Sequence, residues 1–205
     1  MSPIVILVAG LGNPGSRYAW TRHNAGWHVI DLLRERLSAP RWSSTRESEI
    51  WGPCKVDDHK VFLLKPMTYM NLSGVAVKRS VRSLGIDLED IIVVYDDIAL
   101  PFGRIRFRPG GSAGGHRGMI SVIGHMGSAE IARIRIGIGG SDPDRELIDY
   151  VTDPFTREEL SLLPSICDRA SDSVLLWISR GPEETMRVTN APPDHPRENR
   201  SGDRD

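Results

Sequence analysis

The sequence predicts a single three-layer α/β/α domain built around one mixed β-sheet. Short runs rich in β-branched residues alternate with longer amphipathic segments, which is the pattern of strands joined by helices. Asp57 and Asp58 separate two short apolar runs and predict a hairpin turn, so the sheet should contain antiparallel as well as parallel neighbours. A chain of 205 residues is long enough to bury one substantial core.

The predicted elements follow one another in a regular order. Strands are expected where apolar runs are bounded by Gly, Pro or Asp, at residues 4–9, 53–56, 60–64, 91–95, 104–108 and 133–138. Helices are expected from apolar residues at helical spacing, at residues 24–37, 73–84, 118–126 and 156–179. We assign residues 1–188 to the domain and predict a disordered tail at residues 189–205, which are rich in Pro and charge.

Overall composition restricts the possible partners. Lys and Arg number 26 against 27 Asp and Glu, so a polyanion could be bound only through local clustering of positive charge. Cys54 and Cys167 lack the spacing of a metal site or a disulfide framework, which suits a reducing compartment. The first residues lack both the basic start of a signal peptide and the long apolar run of a membrane span. We therefore expect a cytoplasmic protein with no membrane partner.

The first predicted strand leads into GLGNPG at residues 10–15, which matches the GxGxxG fingerprint of dinucleotide sites. In such a site the last glycine opens a helix, and an acidic residue follows at the end of the next strand. Here the next helical pattern begins only after residue 23, and Asp31 and Glu35 lie inside it. The motif therefore indicates a tight turn at the carboxyl edge of the sheet rather than a cofactor site.

A histidine stands at the beginning of the first predicted helix. His23 is a candidate general base, and Asn24 is a candidate helix cap. Local context favours a purely structural role for His23 slightly over a catalytic one. No His, Cys or acidic residue stands at ligand spacing from His23 and HExxH is absent, so we expect no metal.

Further polar positions follow two other predicted strands. Asn71, in PMTYMNLSG, could hold a carbonyl oxygen through its amide or could simply form an Asx turn. Asp96 and Asp97 end a strongly apolar strand, where a carboxylate is placed to act in a site, although loop carboxylates are often only solvated. A carboxylate that accepts a hydrogen bond from His23 would fix its tautomer and stabilise its charged form.

Arginines alternate with apolar residues along two of the predicted strands. Arg104, Arg106 and Arg108 share one face of the first strand, and Arg133 and Arg135 repeat the pattern in the second. Such a face could be merely solvated, but the planar guanidinium also matches the geometry of phosphate. The choice of arginine at all five positions favours phosphate recognition.

Five segments occur in a characteristic order along the chain. They are GLGNPGSRYAWTRHNAG, KPMTYMNLSG, VVYDDIALPFGRIRFRPGG, GGHRGM and RIRIGIGG. Their order and intervals resemble those of bacterial-type peptidyl-tRNA hydrolase, and the resemblance extends to about residue 187. It implies a three-layer α/β/α fold and a monomeric enzyme, with neither metal nor cofactor, that cleaves the ester between a peptide and the terminal ribose of tRNA at the acceptor end.

The resemblance also implies roles for individual residues. His23 corresponds to the general base and Asp96 to the carboxylate that orients it. Asn13 and Asn71 correspond to the amides that hold substrate and water. The other implied contacts are residues that line the site and arginines that bind tRNA, namely Tyr18, Met70, Arg106, Arg108 and Arg135.

One position departs from the pattern of the family. The family commonly has Asn where the segment GGHRG places Arg117. Asn both donates and accepts hydrogen bonds, whereas Arg only donates and keeps its charge, so Arg117 cannot accept a hydrogen from the attacking water. We therefore expect Arg117 to contact a terminal phosphate of tRNA or the ester oxyanion.

Two other classes of function compete with this interpretation. A relative that had kept the fold but lost catalysis would be an RNA-binding or splicing factor. The presence of Asn13, His23, Asn71 and Asp96 argues against it, while Arg117 leaves it open. A nucleotide-dependent oxidoreductase would need the helix and acidic residue that the glycine motif lacks.

Overall fold

One mixed sheet forms the middle layer of the protein. The computed structural model describes residues 4–140 and 147–192. The strands within these residues are β1 Val5–Gly10, β2 Arg41–Ser44, β3 Ser48–Val56, β4 His59–Pro66, β5 Ile91–Asp97, β6 Ile105–Arg108 and β7 Ala132–Gly137. They lie in the order β2-β3-β4-β1-β5-β7-β6. The central strands β4, β1, β5 and β7 are parallel and the outer pairings are antiparallel, which confirms the predicted mixed sheet.

Helices cover both faces of the sheet. They are α1 Ala25–Arg36, α2 Ser73–Leu84, α3 Arg117–Met126, α4 Leu147–Thr152 and α5 Arg157–Thr189. Strand β5 shows why its sequence is apolar throughout: Ile92 and Val94 pack into the core beneath α1 and α5, whereas Ile91 and Val93 pack into the core beneath α2 and α3. The expected three layers are therefore confirmed.

The start of α1 lies directly against the backbone of the sheet. A Cβ atom on Gly26 would stand 2.4 Å from the carbonyl oxygen of Val94 and 2.7 Å from the amide nitrogen of Leu11. No side chain can occupy that space, so glycine permits a contact that larger residues would prevent. This contact places His23, just before α1, next to the carboxyl end of β5.

Some elements differ from those predicted. Strand β2 was not expected, because it is a mostly exposed edge strand without apolar alternation. Helix α4 was not expected either, since it is only 6 residues long. The last helix was predicted to end at residue 179 but extends to Thr189. Gly181 interrupts it with a non-helical conformation (φ 76°). The helix resumes at Pro182, since proline is well tolerated at the first position of a helix.

The residues that follow the last helix pack against the sheet. Thr189 ends α5, and the side chain of Asn190 accepts a hydrogen bond from the amide of Phe107 at 2.8 Å and donates to its carbonyl at 3.1 Å. The first residues of the expected tail therefore pack on β6, and residues 193–205 lie outside the described part of the chain. Within the described ranges, no helix has the length and apolar character needed to cross a bilayer.

Candidate active site

A buried carboxylate lies between two imidazoles at the carboxyl edge of the sheet. Asp96, near the end of β5, is only 1% exposed. Nδ1 of His23 lies 2.9 Å from both of its carboxylate oxygens. Nε2 of His116 lies 3.1 Å from Oδ1 of the same carboxylate. The predicted pair of His23 and Asp96 therefore becomes a group of three side chains.

The surrounding hydrogen bonds determine the tautomers of the two histidines. Nδ1 of His116 accepts the amide hydrogen of Met119 at 3.2 Å and so caps α3. The proton of its ring is therefore on Nε2, which donates to Asp96. His23 donates to Asp96 through Nδ1, which leaves its Nε2 with a lone pair that can take a proton.

The environment of Asp96 keeps it ionised. Burial alone would raise the pKa of Asp96, because a carboxylate loses its hydration inside the protein. Electrostatic attraction to His23 and His116, together with the hydrogen bonds that both imidazoles donate, outweighs that effect and holds the pKa of Asp96 well below its ordinary value. Asp96 is thus a carboxylate at neutral pH, as its place between two donors requires.

The same three side chains are also close enough to bind a metal ion. One ligand atom each from His23, Asp96 and His116 lie within 4.8 Å of one another. Ligand spacing along the sequence does not reveal this group, because its members come from distant parts of the chain. Hydrogen bonds already account for the arrangement, since a metal would have to displace the two protons that the imidazoles donate to Asp96.

Asparagines join the loops that follow β1 and β4. The side-chain oxygen of Asn13 accepts the amide hydrogen of Met70 at 2.8 Å. Asn24 accepts from the amide of Asn13 at 2.8 Å and donates to its carbonyl at 3.1 Å. Asn24 stands at the N-cap position of α1, as predicted, but its side chain bonds to the neighbouring loop and not to the helix backbone. With its oxygen occupied, Asn13 retains its Nδ2 group as a hydrogen-bond donor.

These loops enclose a cleft of about 260 Å³. Of the residues predicted for the site, those that line it are Asn13, His23, Met70, Asn71, Asp96 and Arg117. Leu147, Ile148 and Val151 of α4 form an apolar wall of the same cleft. Tyr18 lies outside this lining, and its hydroxyl accepts a hydrogen bond from Arg17 at 2.6 Å.

A second cleft of about 240 Å³ lies beside the first, and Asp97 and Gly114 line both. Arg108 and Arg135 contribute to its lining. Arg106 lies opposite Arg135 in the antiparallel pairing of β6 with β7, and Arg135 also forms an ion pair with Asp97. The three arginines predicted to bind tRNA are therefore grouped next to the histidine cleft.

Two other arginines of the same pattern support the fold. Arg133 is almost fully buried and donates to the carbonyls of Ile131, Ser112 and Ala129. Arg104 donates to the carbonyl of Asn190 at 2.6 Å. Arg133 also lines the second cleft, although its Nε, Nη1 and Nη2 groups bond to backbone carbonyls there, and Arg104 bonds to Asn190 through Nη2. A phosphate-binding role for these two arginines stays a prediction.

Sequence reasoning assigned no role to His116 or to the apolar wall on α4. A signal for His116 existed, because it immediately precedes a predicted helix and a side-chain acceptor is favoured at that position. The rejection of a dinucleotide site agrees with the structure: a 3-10 turn, Ser16–Tyr18, follows Gly15, and α1 begins only at Ala25.

The fold and the site together define an α/β protein in which a buried carboxylate holds an imidazole at the carboxyl edge of a mixed sheet, an arrangement suited to acid–base chemistry. A family model described as peptidyl-tRNA hydrolase matches residues 7–198. The chain belongs to the peptidyl-tRNA hydrolase family.

Individual relatives agree with this assignment. A peptidyl-tRNA hydrolase of Moorella thermoacetica is 44% identical over 188 residues, which cover 91% of this chain and 98% of the relative. One from Pseudothermotoga lettingae is 42% identical over 185 residues, covering 90% and 96%. The crystal structure of the Acinetobacter baumannii enzyme is 34% identical, with a TM-score of 0.84 and coverage of 93% and 96%. These matches confirm the fold and the family predicted from the ordered motifs.

Replacing Asp96 by Asn should destabilise the protein in a pH-dependent way. Because the folded-state pKa of Asp96 lies below that of the unfolded chain, its contribution is fully present above the unfolded-state pKa and is lost as pH falls through the folded-state pKa. The free energy of unfolding of the wild type should exceed that of Asp96→Asn by about 1–3 kcal/mol at neutral pH. The difference should shrink below about pH 4. Urea unfolding across this range measures it, and a difference independent of pH would contradict the assignment.

Proposed function

We propose that the protein hydrolyses the ester that joins the C-terminus of a peptide to the terminal ribose of tRNA, with His23 as the general base. The observation that carries the proposal is the contact between His23 and Asp96, 2.9 Å long, in a cleft that also contains two asparagines. The substrate class comes from the family, whose members compared above are named for this reaction.

The geometry suggests how the proton moves. Asp96 accepts the Nδ1 hydrogen of His23, so Nε2 takes a proton from water as the water oxygen bonds to the ester carbonyl carbon. The imidazolium that forms is stabilised by the carboxylate. His23 then gives the proton to the ribose oxygen as the carbon–oxygen ester bond breaks. The products are a peptide with a free carboxyl group and deacylated tRNA, without a covalent enzyme intermediate.

Asn13 and Asn71 supply hydrogen bonds to the reacting group. The Nδ2 group of Asn13 suits the oxyanion, and Asn71 is exposed in the cleft and suits the amide of the peptide. Met70 lines the cleft and holds Asn13 through its backbone amide. Recognition of a neutral amide would also reject free aminoacyl-tRNA, whose ammonium group needs different partners.

Replacing His23 by Ala should abolish most of the activity while tRNA binding survives. General acid–base catalysis by one positioned side chain contributes about 10²–10⁴-fold, so kcat should fall by at least about 10²-fold. Release of deacylated tRNA from N-acetyl-aminoacyl-tRNA measures kcat, and filter binding measures affinity. His125→Ala, outside the cleft on α3, is the matched control. Comparable kcat in wild type and His23→Ala would remove His23 from the mechanism.

We infer that Arg106, Arg108 and Arg135 bind phosphates near the acceptor end. Arg106 and Arg135 face each other across two strands; Asp97 pairs with Arg135, and a bound phosphate would supply an anion for Arg106 as well. The second cleft beside Arg108 adjoins the histidine cleft, so a chain of phosphates could enter it while the ester lies at His23.

Arg106→Ala and Arg108→Ala should each raise KM for every tRNA alike. Losing one phosphate contact should also reduce the slope of log KM against log salt concentration by about 1. Arg82→Ala, an exposed arginine of α2, serves as the control. Steady-state kinetics at several salt concentrations test this, and an effect confined to one tRNA species would contradict recognition of the backbone.

Arg117 is proposed to contact a terminal phosphate or the ester oxyanion. It is the first residue of α3, where the helix dipole favours an anion, and it lines the cleft with His23. A hydrogen bond to a charged group is typically worth about 1.5–3 kcal/mol, so Arg117→Asn should lower kcat/KM by about tenfold or more. Unchanged kcat and KM in this variant would contradict the role.

The non-catalytic alternative, an RNA-binding factor, predicts tRNA binding without turnover. Wild-type cleavage of N-acetyl-aminoacyl-tRNA therefore separates the two functions. We also infer a cytoplasmic monomer that needs neither metal nor cofactor. Support for the reducing compartment comes from Cys54 and Cys167, which are free and buried.

A further inference from the structure

Arg22, immediately before His23, is a buried charge with several partners. Its side chain is 6% exposed. Nε and Nη2 donate to the two carboxylate oxygens of Glu159, at 3.2 and 2.7 Å, and Nη1 donates to the carbonyl of Tyr150 at 3.4 Å. The guanidinium also lies 4.5 Å from the centre of the Tyr150 ring. One side chain therefore contacts both α4 and α5.

The contact with α4 reaches the wall of the cleft. Tyr150 lies between Ile148 and Val151, which line the cleft beside His23. Its hydroxyl donates to the carbonyl of Ile138 at 2.7 Å, just after β7. Arg22 and Ile138 thus both bond to Tyr150. Because Tyr150 belongs to α4, these bonds also fix the position of the apolar wall on that helix.

The contact with α5 is equally well defined. Glu159 accepts from Arg22 and also from the amide of Thr156, where it completes the capping box of α5. The backbone repeats the connection, because the amide of Arg22 donates to Asp153 and that of Phe155 donates to Trp20. The segment that carries His23 is therefore joined to the segment between α4 and α5 by both backbone and side chain.

We propose that Arg22 is a positioning residue that holds the α4 wall at a set distance from His23, so that this wall receives the side chain of the last residue of the peptide. The inference rests on the proposed function. The wall is apolar and borders the cleft in which the ester would react, so it can contact the acyl side of the substrate. The tRNA part of the substrate would bind to the arginines around the second cleft, which leaves the wall for the peptide part.

Arginine is specifically suited to this position. The planar guanidinium of Arg22 bonds to both carboxylate oxygens of Glu159 through two of its nitrogens. Its third nitrogen donates to the carbonyl of Tyr150, and its face lies over the ring of the same residue. Lysine keeps the charge but cannot make these contacts together. Arg22→Lys should therefore let the wall move while a positive charge stays beside the partly buried carboxylate of Glu159.

The test compares two acyl groups on the same tRNA body. Hydrolysis of N-acetyl-leucyl-tRNA and N-acetyl-glycyl-tRNA is measured for the wild type, Arg22→Lys and Glu159→Gln. Leucine can reach the wall and glycine cannot, so the wild type should have the higher kcat/KM for the leucyl substrate. In both variants this preference should fall by about fivefold or more. The preference is the ratio of the two kcat/KM values measured on one enzyme preparation. Partial unfolding lowers both values by the same factor and therefore leaves the ratio unchanged.

Two further variants complete the design. Arg36→Lys alters another arginine between α1 and α5, bonded to Asp168 and Asp172 away from the cleft, and should leave the preference unchanged. Ile148→Ala shortens the wall itself and should lower the preference. If Ile148→Ala lowers it and Arg22→Lys and Glu159→Gln do not, the positioning role of Arg22 is overturned. Absence of wild-type cleavage of either substrate would overturn the proposed function itself, a distinguishable result.

Discussion

The buried carboxylate of Asp96 is the constraint on which the rest of the site depends. Removing an ionised group from water is unfavourable unless hydrogen-bond donors surround it. Here the donors are His23 and His116, from the loop after β1 and from the start of α3. The hydrogen bonds to the Asp96 carboxylate therefore join segments from both faces of the sheet. Because His23 donates through Nδ1, its Nε2 remains free to accept a proton.

Side chains that bond to backbone groups hold the loops around this carboxylate. Loops have amides and carbonyls that no regular element satisfies, and polar side chains can pair with them. Asn24 bonds to the backbone of Asn13, and Asn13 bonds to that of Met70. Arg22 extends the support to α4 and α5. Such connections matter because a general base is effective only when its distance from the reacting atoms is set.

The arginines show how one sequence pattern can serve different tasks. Arg133 and Arg135 lie two positions apart on the same strand and both line the second cleft, yet Arg133 bonds to backbone carbonyls and Arg135 is paired with Asp97. Alternation along a strand reports only which face a residue occupies. The loops that pass over that face decide which guanidinium N–H groups are already hydrogen-bonded. They therefore also decide which arginines can bind a phosphate.

Periodicity in the sequence determined most of the architecture, because alternation and helical spacing report the burial of each local segment. It predicted α2 at its observed bounds and the strands of the parallel core. The order of the motifs resembled that of the peptidyl-tRNA hydrolase family, and that resemblance implied Asp96 as the partner of His23. Tertiary structure alone decided that His116 shares that carboxylate and that Arg22 joins the site to α4. Those contacts connect residues far apart in the chain, and no local pattern can specify which distant groups a fold brings within hydrogen-bonding distance.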